Sequence, residues 1–174
     1  MEQKEYTRTG RQVTTADKVI DMIMKGVAVI TTKTDMKVNG MAAAWFTRVS
    51  EQPILVMVSV WKENYSHGLI KESGIFAINI MAEGQAETAR HFGRQSGRDV
   101  DKFKGIDYEE KNTGSPILKD CLAFLDCKVV SSLEAGDHTI FVGEVLDSGF
   151  QSTRDPLAYD RKDYPYLTAE EVEL

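Results

Sequence analysis

The 174-residue chain holds two cysteines, four prolines, three histidines and two tryptophans, and each scarcity closes off a chemistry. Cys121 and Cys127 are too few for a disulfide framework. Read as parts of one strand, they lie six residues apart, roughly 20 Å at about 3.3 Å per residue, which prevents them from bonding to each other or sharing a metal. Buried thiols in a reducing compartment are the expectation. His67, His91 and His138 are scattered, with no acidic or cysteine partner at ligand spacing, so no metal site is expected. There is no basic surplus either. A formal net charge of −6 argues against nonspecific nucleic-acid binding, which needs cations to displace counterions from phosphates. The longest apolar run, near Ile54 to Val60, is far too short to span a bilayer, and the start Met1 to Glu5 is polar and mixed in charge, so a cytoplasmic protein without membrane contact is expected. No G-x-G-x-x-G follows a strand, no Walker A sequence occurs, and no G-x-S-x-G elbow is present. A nicotinamide, if used, must dock without a Rossmann domain.

What is present is an ordinary globular composition, 42% hydrophobic and 28% charged, with chain enough for one domain over 1–174 and a loose arm over about 1–13. Apolar positions Val19, Ile20, Ile23 and Met24 predict a helix over Thr15 to Lys25. Val27 to Thr32 has strand chemistry, and Lys33 to Val38 turns the chain into a second strand as a hairpin. Pro53 opens a third. A short helix over Asn64 to Ser73, stopped by Gly74, precedes a strand over Ile75 to Ile80, and a second helix runs from Gln85 to Phe92 before Gly93. Leu122 to Leu133 and Thr139 to Gly149 read as long strands joined through Glu134 to His138. Antiparallel strands with short helices inserted between them predict a mainly β, Greek-key barrel.

The most informative stretch is Asn39-Gly40-Met41-Ala42-Ala43-Ala44-Trp45, read as one strand continuing to Ser50. Three consecutive alanines offer little side chain to pack, so a flat rigid ligand edged by Trp45 would account for them; a close strand crossing or a subunit contact would do so equally. After it, Ser59 and Trp61 to His67 lead from strand to helix. Free N–H groups there, with the Ser66 hydroxyl and the Lys62 charge, form a pocket suited to a phosphate monoester, although Asn64 or Ser66 as a plain cap explains the same residues. Arg90, Arg94, Arg98 and Lys102 recur every fourth residue, broken by Gly93 and Gly97. They suit a loop folded over an anion, or a solvated charge run. His138, at a tight turn entering a strand, is placed to donate a hydrogen bond or a proton, or is incidental.

With these residues in view, the chain resembles the flavin reductase-like family of FMN-binding split barrels. The resemblance covers about Gly26 to Leu167. It rests on Asn39 to Ser50, Pro53 to Trp61, Phe76 to Ile80, Phe92 to Phe103, and Gly136-Asp137-His138 through Val145. Ser96-Gly97-Arg98-Asp99 with Asp101-Lys102-Phe103 leans toward the flavoredoxin-like branch.

The resemblance implies a split barrel, a homodimer, and FMN near the subunit interface with its ring on the strand that holds Met41 and Ala42 to Trp45. By matching motif, Asn39 and Trp45 border the ring, Ser59, Val60, Trp61, Lys62 and Ser66 hold the ribityl chain and phosphate, and Phe92, Ser96 and Gly97 belong to the flavin-facing loop. Lys102 and His138 reach the ring's polar edge as catalytic groups, and Tyr166 is an aromatic cover. The expected activity is an oxidoreductase passing electrons between NAD(P)H or a small iron-sulfur protein such as rubredoxin and an acceptor. The flavin would supply the redox chemistry and the protein its orientation and electrostatics. A rubredoxin-linked electron-transfer flavoprotein without direct NAD(P)H activity and a non-catalytic flavin-binding dimer are the alternatives.

Overall fold

The computed structural model describes residues 4–7, 10–162 and 168. Two compact units are present, one over Gly26–Leu157 and a smaller one formed from Met1–Lys25 and Ala158–Leu174.

The larger unit is built on a seven-stranded, wholly antiparallel sheet. Its strands are β1 (Ala28–Lys33), β2 (Val38–Ala43), β3 (Phe46–Ser50), β4 (Leu55–Trp61), β5 (Ile75–Ile80), β8 (Ala123–Ala135) and β9 (His138–Phe150). They lie in the order β2-β1-β5-β8-β9-β4-β3. The outermost strands, β2 and β3, are consecutive in the chain and joined by Ala44 and Trp45 alone. So short a link spans only about 10 Å, which brings the two ends of the sheet together and closes it into a barrel. The expected single strand from Asn39 to Ser50 is therefore two strands on opposite ends of the sheet. The mainly β, antiparallel split barrel with short inserted helices is the fold observed.

Alternation along the strands fills the barrel. Val56, Val58 and Val60 of β4 point inward and are buried, and join Ala28, Ile30, Met41, Ile70, Phe76, Ile78, Cys127 and Phe141 in one core. Gly143 is the point where this core is tightest: a Cβ there would stand 2.6 Å from Cζ of Phe76. Burying such side chains stabilises the fold by about 1.5–3 kcal/mol each. Asn79 is the polar knot on the other face of the sheet. Its Nδ2 donates to Val29 O and Thr31 Oγ1, and its Oδ1 accepts from Leu118 N. It thereby holds β7 (Pro116–Leu118), which pairs with β6 (Tyr108–Glu110) in a two-stranded ribbon not anticipated from sequence.

Two helices lie between strands. α2 (Tyr65–Ser73) ends at Gly74 in the left-handed region, φ 68°, as expected. α3 (Ala86–Gly93) includes Gly93 as its last residue, with Arg94 as cap. Cys121 precedes β8 instead of sharing that strand with Cys127, and both thiols are buried. Burial pushes each up to about 12, so neither is a thiolate at neutral pH.

In the smaller unit, α1 (Thr15–Ile20) is shorter than the expected Thr15 to Lys25. Thr14 and Asp17 form a capping box, and Arg11 pairs with Asp17 at 2.6 Å. The residues before Val13 hold an isolated antiparallel bridge between Tyr6 and Gln12 where a loose arm was expected. Arg161 Nε donates to Asp21 at 3.0 Å.

Candidate functional site

The β2–β3 link places Trp45 on the outside of the barrel, half exposed, while its carbonyl accepts from Ser59 N of β4 at 2.9 Å. His138, first residue of β9, lies against it with ring centroids 5.0 Å apart. Trp61, last residue of β4, is the cross-strand partner of His138. The outward alternation of β4 gives Ser59 and Trp61 the same face. Two tryptophans, a histidine and a serine thus gather where three strands meet.

His138 is oriented by its neighbour. Gly136 and Asp137 form a two-residue hairpin turn with Gly136 at φ 62°, the positive value a primed turn requires. His138 Nδ1 donates to Asp137 Oδ1 at 2.7 Å, which leaves Nε2 for a ligand. That hydrogen bond holds the Asp137 carboxyl below its ordinary range. Asp137 belongs to this candidate cluster and was not singled out from sequence, although it sits inside the Gly136-Asp137-His138 motif.

The turn is anchored to the start of α2. Lys62 N donates to Asp137 O, and its Nζ donates to Gly136 O and pairs with Glu134 at 2.7 Å. His67 Nε2 lies 2.8 Å from Thr139 Oγ1, which donates on to Glu134, and burial lowers the pKa of His67. The Lys62 ammonium is thus engaged within the chain. Asn64 occupies the N-cap position of α2 without a side-chain capping bond. It reaches instead toward Met41 Sδ at 3.8 Å.

Several expected site side chains are turned inward. Asn39 is 2% exposed and Ser66 1%, and Asn39 Nδ2 donates to Ser66 Oγ at 2.8 Å. Met41 and Val60 belong to the barrel core, so only their backbone could meet a ligand. The small residues of β2 have partners too. Ala43 packs against the core, and Gly93 of α3 lies so near Ala42 that a Cβ on it would stand 3.2 Å from the Ala42 Cβ. Gly40 has Phe92 in the space its side chain would take, with Cδ1 2.8 Å from a built Cβ. Helix packing and barrel filling therefore explain Gly40, Ala42 and Ala43, and only Ala44 and Trp45 lie in the link itself.

Phe92 is a core residue, edge-on to Phe103 at 5.3 Å. Lys102 is 5% exposed, and its Nζ donates to Gly40 O and Phe92 O, both at 2.9 Å. It ties β2 to the end of α3, and its charge can reach a ligand only as a field. Gly97 lies against Asn39, whose Oδ1 is 2.1 Å from a built Cβ. Ser96 Oγ accepts from Arg98 N. The basic run diverges: Arg90 pairs with Glu87, Arg98 donates to Glu63 O, Lys102 turns inward, and Arg94 is exposed. Tyr166 lies outside the described residues. Among the described residues no group of three His, Cys, Asp or Glu side chains forms a metal site, and no helix is long and apolar enough to cross a membrane.

The antiparallel sheet, closed through the β2–β3 link, places the chain among the split-barrel proteins. Residues 21–168 match the model of the flavin reductase like domain, and the chain belongs to that family, an oxidoreductase family that uses flavin. It is 38% identical over 146 residues to the reductase subunit HsaB of a flavin-dependent monooxygenase from Rhodococcus jostii, covering 84% of this chain and 73% of that protein. It is 33% identical over 144 residues to a high molecular weight rubredoxin from Moorella thermoacetica, covering 82% of this chain and 63% of that protein. Flavoredoxin from Methanosarcina acetivorans superposes with a TM-score of 0.77 at 28% identity, covering 85% of this chain and 86% of that one.

Proposed function

We propose that the chain is a cytoplasmic, FMN-binding oxidoreductase that works as a homodimer and passes electrons between NAD(P)H or a small iron-sulfur protein and an acceptor. The observation that carries this reading is the Trp45–His138–Asp137 arrangement. An indole half out of the protein, beside an imidazole whose Nδ1 is fixed by a carboxylate, presents a flat apolar surface with one ring nitrogen at its edge that has no partner among the described residues. That donor set fits a flavin ring. The flavin, when bound, supplies hydride or single-electron transfer.

Trp45 and Trp61 would border the ring, and Nε2 of His138 would hydrogen-bond its polar edge. Ser59 and the start of α2 would hold the ribityl chain and phosphate, since backbone N–H groups at a helix start favour an anion and Asn64 does not cap them. Lys102 would act on the ring only through its field, from beneath β2. A dimer is supported by exposed Val49 of β3, Ile54 and Leu146 of β9, apolar surface close together at the β3–β4–β9 edge, since Val145 N donates to Ile54 O.

The relative that is a high molecular weight rubredoxin favours a second reading, an electron-transfer flavoprotein fed by a small iron-sulfur protein. Anaerobic mixing of the FMN-loaded protein with NADH, NADPH and reduced rubredoxin in turn tests both. Rapid bleaching of the flavin by a pyridine nucleotide supports the first, and bleaching by rubredoxin alone supports the second. Protein that takes up no FMN defeats both.

A further inference from the structure

The tip of the β8–β9 hairpin carries His138 but has little of the barrel behind it. From Ser131 to Ala135, β8 pairs with β9 alone and is exposed throughout. The turn rests on Gly136 in the left-handed region, and glycine leaves the backbone freer than any other residue would. Neighbours in sequence point to opposite sides of an extended chain. The bond from His138 Nδ1 to Asp137 Oδ1 therefore depends on the bend at this turn being held in shape.

Lys62, the first residue past β4, supplies that hold by touching three of the four residues from Glu134 to Asp137. Its N donates to Asp137 O at 3.0 Å, which carries the β4–β9 ladder one bond beyond the Trp61–His138 pair. Its Nζ donates to Gly136 O at 2.7 Å and pairs with Glu134 Oε2 at 2.7 Å. The ammonium holds the Glu134 carboxyl below its ordinary range, so Glu134 is an acceptor only. Its other oxygen accepts from Thr139 Oγ1 at 3.3 Å, and that hydroxyl, buried and next in the chain after His138, lies 2.8 Å from His67 Nε2 on α2. With its one proton given to Glu134, Thr139 accepts from His67. His138 is thus tied down on both sides, through the turn before it and Thr139 after it. A pair as exposed as Lys62 and Glu134, at 37% and 61%, adds little to overall stability. Placement is its contribution.

We propose that Lys62, acting with Glu134 through the turn backbone, is a positioning residue that sets the tautomer and direction of His138 toward a flavin ring, in place of the phosphate contact expected from its motif. The flavin in this statement rests on the flavoprotein reading. With the proton kept on Nδ1 by Asp137, the neutral imidazole presents a bare Nε2 beside Trp45, an acceptor for an N–H of the ligand. Once Nε2 is protonated, the same atom donates.

Two measurements on wild type, Lys62→Met, Lys62→Arg and Glu134→Gln test it. The first needs no flavin: the ring nitrogen shifts of His138, read by NMR on the 15N-labelled protein above pH 8. Wild type should show the Nδ1–H tautomer and Lys62→Met a mixture of both, while Lys62→Arg, which still reaches Gly136 O and Glu134, restores the wild-type pattern. Glu134→Gln should fall between. Unchanged ring shifts of His91 in α3 show that the fold is intact. A wild-type tautomer in Lys62→Met overturns the proposal. The second measurement titrates FMN and riboflavin, which lacks the phosphate. Lys62→Met should raise both dissociation constants severalfold and by the same factor, and should add nothing in a His138→Ala background. A weaker FMN complex with riboflavin binding unchanged makes Lys62 a phosphate ligand and overturns the proposal, as does a full additional loss in His138→Ala. Wild type that binds neither flavin defeats the flavoprotein reading, and the tautomer by itself then decides whether Lys62 positions His138.

Discussion

Two flanks of the same barrel use the same kinds of residue to opposite ends. On the β2–α3 flank, an asparagine, a serine, a lysine and a phenylalanine are all buried, and the polar ones have partners: Asn39 with Ser66, Lys102 with the Gly40 and Phe92 carbonyls. On the β4–β9 flank, Trp45 is half exposed and Nε2 of His138 has no partner among the described residues. The first flank uses polarity to hold secondary elements together, because a buried polar group without a partner costs more than the bond itself contributes. The second leaves side chains unfinished by the chain, and an unfinished surface can bind something. Chemical type alone does not separate a strut from a site.

The sharpest way to break this comparison is Lys102→Met. Two buried carbonyl oxygens would lose their donor, so unfolding in urea should show a loss of about 2–4 kcal/mol. Stability at the wild-type level would mean the β2–α3 flank is not closed. Gly97→Ala should cost about 1–3 kcal/mol, since the new methyl must displace Asn39 from its bond to Ser66. An alanine variant as stable as wild type would show that the loop yields.

Trp45→Ala should do the reverse, leaving the urea midpoint nearly unchanged while weakening flavin binding about tenfold, or about 1.4 kcal/mol. Flavin affinity that survives intact would remove Trp45 from the site. The smallest effect concerns pH. Burial depresses the pKa of His67 in the folded state, so the unfolded chain binds the proton more readily. The contribution of neutral His67 is complete above its unfolded value of about 6.5 and is lost as pH falls through the lower folded value. Thermal midpoints between pH 7.5 and 5.5 should therefore drop less in His67→Gln than in wild type. Parallel curves would show that His67 titrates as it does in water.

Much of the fold was legible because it rests on short-range rules. Alternation marks β4 and β9, Gly74 ends α2, and Gly136 sets the hairpin, each read from a few neighbouring residues. The break at Ala44 and Trp45 was not legible, because nothing local distinguishes one long strand from two that pair with different neighbours. The same holds for the alanines. Their smallness was visible, but the helix and core that occupy the space beside them come from residues 50 positions away.

The amino-acid order by itself named the candidates: Trp45, Ser59, Trp61 and His138 all stand in motifs that resemble one family. Only the tertiary structure decided which polar residues remain available. That depends on partners distant in sequence, such as Gly40 O for Lys102 and Ser66 for Asn39, and a hydrogen bond, once made in a buried place, leaves its members nothing to offer a ligand.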